Sequence, residues 1–326
     1  MQNNRTVLWS LGGVALGFML PLIGIACLSM TCVASFIGMT ASAAGASSAN
    51  VSHLSGPSTG PAVAVIDVEG VISSGQSDSL TGGSSAQAGD IIANIKEADA
   101  DPDVKAIVVR VNSPGGSVVP SDEIYHALAG CKKPVVVSMG ETAASGGYYI
   151  SMAAEYIIAN PNTITGSIGV ISEFPEASGL METLGVTVTT VKSGAVKDLG
   201  SLYRPMTAEE RALWQRVIDE TYNGFVKIVA DGRKMPDAKV RALADGRVFT
   251  GRQALEAGLV DALGYEQDAI NKAAELGGIT GTPRVIRYTA PSSLASLLSG
   301  RLQQSIIPAD FLQSLLMPSL EYRWVP

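Results

Sequence analysis

From residue 6 to residue 66 the chain contains no Asp, Glu, Lys or Arg. Arg5 is the sole charged side chain before Asp67, with His53 taken as neutral. A soluble domain does not open that way, because its surface is built largely from charged and polar side chains. Within this stretch residues 7–39, VLWSLGGVALGFMLPLIGIACLSMTCVASFIGM, are almost continuously apolar. A membrane-spanning helix needs about 20 such residues, and the apolar region of a secretory signal peptide roughly 7–15. The run exceeds both, which favours a retained transmembrane signal anchor. Ala41-Ser42-Ala43 supplies the alternative, a small-residue cleavage site. Neither Cys27 nor Cys32 has the leucine three residues upstream that a lipoprotein signal needs. Arg5 and the terminal amine precede the span and no cation follows closely, so the positive-inside rule places residues 1–6 in the cytoplasm and the bulk of the chain outside. Residues 40–61 are small, polar and turn-rich, and read as a flexible linker.

Composition narrows the remaining chemistry. The net charge is −7 and no Lys/Arg run occurs, which argues against a nucleic-acid binder. The three cysteines and two histidines form no CxxC or HExxH, so a structural zinc site or disulfide framework is not expected. Hydrolysis, if this chain performs it, must manage with little or no histidine.

At residue 62 the texture changes. PAVAVIDVEGVI, KAIVVRV (105–111), PVVVSM (134–139), YIIA (156–159) and VTVTTV (186–191) read as strands. Helical spacing appears at 88–99, 120–130 and 145–154, with a Ser/Gly-rich loop at 73–90. Strands with few polar positions alternating with helices predict an α/β domain with a mostly parallel sheet. Thr207-Ala-Glu-Glu210 is a capping box. It opens a helix whose stripe of Leu213, Trp214, Val217, Ile218, Tyr222, Phe225, Val226 and Val229 reads as core or subunit packing. Shorter helices are expected near 237–244, 251–256 and 265–276. The domain runs over 62–290, leaving 291–326 as a C-terminal tail that ends EYRWVP.

Three segments carry unusual local chemistry. Asn112-Ser113-Pro114-Gly115-Gly116 follows a buried strand, and its glycines permit positive φ, which suits either a plain turn or backbone N–H groups aimed at a ligand. In Ala143-Ala144-Ser145-Gly146-Gly147 the serine opens a helix, where serines are usually N-caps. Small neighbours would also leave it accessible as a nucleophile. The third is Lys192-Ser193-Gly194-Ala195-Val196-Lys197-Asp198. A serine needs a base. His53 lies in the linker and His126 in a helix, so a neutral lysine is the remaining candidate, although lysines are mostly solvated surface charges.

Together these segments resemble the signal peptide peptidase A (SppA) family, membrane-bound serine proteases with a ClpP/crotonase-like fold. The matching pieces are VEGVI (68–72), VRVNSPGG (109–116), KPVVVSMGETAASGGYYIS (133–151), NTITGSIGVI (162–171) and VKSGAVKDLGS (191–201). The resemblance implies Ser145 as nucleophile, Lys197 rather than Lys192 as general base, and Ser167 as the hydroxyl that orients the lysine. It implies backbone N–H groups of Gly115 and Gly146 as the oxyanion hole. No metal or organic cofactor is implied. The implied substrates are hydrophobic peptides, above all signal peptides left in the membrane. Long members of the family carry two copies of the domain, with lysine and serine supplied by different halves. One copy holding both residues implies a homo-oligomeric ring with the dyad shared between subunits. A stomatin-associated type of Ser-Lys protease and a non-catalytic membrane-tethered scaffold are the competing readings.

Overall fold

The computed structural model describes residues 50–74, 85–289 and 321–324. The apolar segment 7–39, Ala41-Ser42-Ala43 and most of the 73–90 loop lie outside them. Among the described residues no helix is long and apolar enough to cross a membrane.

The chain begins with β1 (Asn50–Ser55), β2 (Ala62–Glu69), β3 (Val71–Ser73) and β4 (Ser85–Gln87). Helix α1 (Ala88–Ala100), β5 (Val104–Ser113), β6 (Gly115–Ser117), α2 (Val118–Ala129), β7 (Val135–Ala144) and α3 (Gly146–Ser151) follow. Then come β8 (Tyr156–Ala159), β9 (Ile164–Gly166), α4 (Ser178–Thr183), α5 (Ala208–Arg233) and α6 (Asp237–Leu243). The last elements are β10 (Val248–Thr250), α7 (Gly251–Ala257), β11 (Ala262–Leu263), α8 (Glu266–Leu276), β12 (Arg284–Thr289) and β13 (Glu321–Arg323).

The main sheet has the order β1-β12-β2-β5-β7-β8-β11, with β9 beside the end of β7 and β10 beside β9. Its pairings are parallel except at β1–β12 and β10–β9. The continuous apolar runs of β2, β5 and β7 have a direct cause, since both faces of the sheet are covered. Ala64, Ile66, Ile107, Val109 and Val137 face Ile95, Ile124, Leu128, Tyr148 and Phe225 on one side. Val63, Val65, Val108 and Val136 face Ala269, Ile270 and Ala273 of α8 on the other. Each Val or Ile buried this way contributes about 1.5–3 kcal/mol relative to exposure. A smaller sheet has the order β13-β6-β3-β4, and its β6 follows β5 of the main sheet after one residue.

Three expectations are corrected. Residues 186–191 form no strand. Their β-branched residues find no partner strand among the described residues, and Val186, Val188 and Val191 stand 47%, 43% and 95% exposed. The linker at 40–61 is structured at its end, because β1 pairs antiparallel with β12. Every β1 residue is exposed, so backbone pairing rather than apolar burial holds it, and composition gives no sign of it. The tail at 291–326 is likewise not wholly separate from the domain: β13 joins β6.

Candidate active site

Strand β7 delivers Ser145 to the N-cap position of α3, yet its side chain makes no capping bond. The backbone there is strained, with φ 53° and ψ −115°. Holding a non-glycine residue in such a region costs about 1–3 kcal/mol and persists only where the surroundings impose it. They do: the Ser145 N–H donates to Gly166 O at 2.8 Å and its carbonyl accepts from Tyr149 N at 2.8 Å. A Cβ on Gly146 would lie 2.7 Å from Ser121 Oγ, and one on Gly147 2.8 Å from the Ser113 carbonyl oxygen. The two glycines are therefore required by close packing around the serine.

Ser167 sits at the end of β9, which runs parallel to the end of β7 with Ala144 opposite Gly166. It too has positive φ, 49°, and its N–H donates to Arg247 O at 2.9 Å. Among the described non-glycine residues positive φ occurs at Ser145, Ser167 and Lys234, and Lys234 merely ends helix α5. Two expected site serines thus carry local strain at adjacent strand ends.

Gly115 also has positive φ, 96°, and packs so closely that a Cβ there would lie 2.5 Å from Gly146 N. Its own N–H donates to Ser113 Oγ at 3.1 Å, and that hydroxyl donates to Gly70 O at 2.6 Å. Of the two expected oxyanion donors, then, Gly115 N–H is engaged elsewhere. Gly146 N–H, at the first helical position, has no preceding turn to bond.

Lys197 is not brought to Ser145. It lies on an exposed segment where its N–H closes a turn on Gly194 O at 3.2 Å, and it makes no hydrogen bond to Ser145 or Ser167. Lys192 has a defined occupation. Its Nζ donates to Ala195 O at 2.7 Å and pairs with Asp198 Oδ1 at 2.5 Å. Arg204 grips Asp198 through Nε at 2.9 Å and Nη2 at 2.7 Å, and grips Glu210 through Nη1 at 2.8 Å. The hydrogen bonds from Arg204, then from Lys192, hold the Asp198 carboxyl far below the usual carboxylate range. Glu210 is the N3 residue of the capping box and closes on Thr207 N at 2.9 Å.

The aromatic ending of the chain enters the site unannounced by the sequence. Glu321 exchanges two 3.1 Å backbone bonds with Ile171, and Tyr322 pairs with Gly116 on the other side. The Tyr322 ring stacks on Tyr149 at 5.0 Å and tilts against Phe225 at 4.7 Å. The Tyr322 carbonyl oxygen approaches the spots that a Cβ on Gly115 or Gly146 would occupy. Beside it a cavity of about 450 Å³ is lined by Ser167, Tyr222, Asp219, Asp245 and Trp324, among others. Strand β13 thus fills the position between Ile171 and β6, and Ser145 beneath is 1% exposed. EYRW supplied the aromatic residues for this, but nothing in a four-residue segment marks a partner two hundred residues away.

A strained serine between close-packed glycines, at the end of a covered parallel sheet, is the build of a ClpP-like peptidase domain. Residues 80–165 match the family described as Clp protease, and residues 127–280 match peptidase family S49. A putative protease of Synechocystis is 49% identical over 53% of this chain and 64% of its own length. A putative signal peptide peptidase SppA of Enterococcus faecium is 40% identical over 68% of this chain and 65% of its own. The chloroplastic serine protease SPPA of Arabidopsis thaliana is 36% identical over 76% of this chain and 37% of its own. The chain thus spans a little under two thirds of the first two relatives and about a third of the last.

Proposed function

We propose that this chain is a membrane-anchored serine endopeptidase that cleaves hydrophobic peptides with a Ser145–Lys197 dyad assembled between subunits. The observation that carries the reading is Ser145 itself, held at φ 53° in a cap position without capping. A hydroxyl placed that way at a backbone cost is explained by reaction better than by helix stability.

In this mechanism neutral Lys197 of one subunit takes the Ser145 proton of its neighbour as Oγ attacks the peptide carbonyl carbon. Gly146 N–H donates to the developing oxyanion. A second donor becomes available at Gly115 if that peptide exchanges its bond to Ser113 for the substrate oxygen. The resulting ammonium gives its proton to the leaving amine. Water, deprotonated by the same lysine, then hydrolyses the acyl-enzyme. Ser167 would receive the incoming amine at the cavity it lines.

Assembly between subunits is supported by the exposure of Lys197 and of the apolar side chains around it. Leu180, Leu184 and Val191 are 61%, 66% and 95% exposed, more than a stable surface normally presents in one stretch. The substrate is taken as a strand that displaces Glu321–Arg323 and pairs between Ile171 and β6 in its place. The name of the Enterococcus relative and the apolar 7–39 segment support signal peptides at the outer face of the membrane as the substrate class.

The test is cleavage of a hydrophobic signal-peptide substrate by the full chain. Ser145→Ala and Lys197→Ala should each lose at least about a thousandfold in kcat. Retained activity in Ser145→Ala would overturn the reading.

A further inference from the structure

A carboxylate follows the proposed base directly in sequence, at Asp198. That neighbour is a problem. A carboxylate within reach of a lysine favours the ammonium form, and an ammonium cannot act as a base. The structure shows what prevents it. Asp198 Oδ1 accepts from Lys192 Nζ and Arg204 Nη2, and Oδ2 accepts from Arg204 Nε. Both oxygens are thus held on the side of helix α5 by two cations that have no other role in the mechanism. Arg204 also clamps Glu210, whose side chain is only 3% exposed, which fastens the loop to the capping box at the start of α5.

We propose that Lys192 and Arg204 are positioning residues that sequester the Asp198 carboxylate, leaving the adjacent Lys197 without an acidic partner among the described residues of its own chain and fixed on an anchored loop. The proposal rests on Lys197 being the base. The charged groups around the loop are Lys192, Asp198, Arg204 and Glu210. Those at the cavity beside Ser167, which the base would enter, are Asp219, Asp245 and Arg323. Asp245 is itself paired with Arg247, and Arg323 with Glu321. The decoy lysine of the sequence pattern therefore has a function: it keeps the acid next to Lys197 occupied.

The experiment is the pH dependence of kcat/KM for the full chain on a signal-peptide substrate. In Arg204→Gln the freed Asp198 reaches Lys197, so the acid limb moves about one pH unit upward, a roughly tenfold loss at a fixed pH on that limb. Lys192→Gln, which leaves the Arg204–Glu210 clamp in place, should move the limb the same way by less. Adding Asp198→Asn to Arg204→Gln should return the limb to its wild-type position while kcat stays low, because the anchor is still lost. Lys192→Arg should keep the wild-type limb. A limb that does not move in Arg204→Gln and Lys192→Gln, or that does not return in the double variant, overturns the proposal. Full activity in Lys197→Ala would instead overturn the underlying assignment of the base.

Discussion

The two halves of the proposed dyad are held by opposite means. Ser145 is 1% exposed and sits where β7, β9 and α3 converge, with glycines packed too tightly to accept a single added carbon. Lys197 stands on an exposed loop fastened by ion pairs at Lys192, Asp198, Arg204 and Glu210. A buried strand end fixes its residue within one chain. A loop held by ion pairs, with apolar side chains left facing water, fits the proposed contact with a second subunit.

Variants on the two sides should therefore fail differently. The largest effect on stability belongs to the serine side. Gly147→Ala pushes a methyl to 2.8 Å from the Ser113 backbone oxygen, which cannot move without disturbing β5. A loss of about 1–3 kcal/mol in urea unfolding is expected; an unchanged midpoint would mean that the close packing is not restrictive. On the lysine side, Val191→Asp should leave the folding stability of the single chain within about 0.5 kcal/mol. Sedimentation should nevertheless show the proposed oligomer dissociating, and an intact oligomer would remove this loop from the interface.

A smaller effect comes from acid. The Glu210 carboxyl is held down to about 2, first by its hydrogen bonds from Arg204 and then by Thr207 N–H. Its ordinary value is near 4.5, so its folded form is the more acidic. The stability this confers is complete above about pH 4.5 and is lost as pH falls through about 2. Thermal melting of Glu210→Gln should accordingly lose the part of the wild-type pH dependence that falls in this window.

The same contrast governs what could be read from the sequence. Strands β5 and β7 were legible because burial on both faces leaves uninterrupted Val and Ile, and the capping box at Thr207 and Glu210 formed as its spacing implies. Ser145 and its glycines were visible as residues, but not the positive φ that sets this serine apart from an ordinary N-cap. Gly115 is implied as an oxyanion donor, and the bond of its N–H to Ser113 Oγ is not visible in the sequence. The false strand at 186–191 has the right composition and no partner among the described residues. Strands β1 and β13 are the converse, short segments stabilised by pairing with distant residues rather than by their own pattern. Of the α5 stripe, which reads as core or subunit packing, Phe225, Val226 and Val229 are core, while Val217 is 37% exposed in the single chain.

The central claim, that the serine and lysine of an active site come from different copies of this chain, is tested most directly by mixing. Ser145→Ala and Lys197→Ala, each inactive alone, should be combined under conditions that let subunits exchange, with labelled chains to verify that exchange takes place. Recovery of a substantial fraction of wild-type peptidase activity is expected, because mixed neighbours restore intact Ser145–Lys197 pairs. Verified mixed oligomers that remain as inactive as the separate variants would contradict the account.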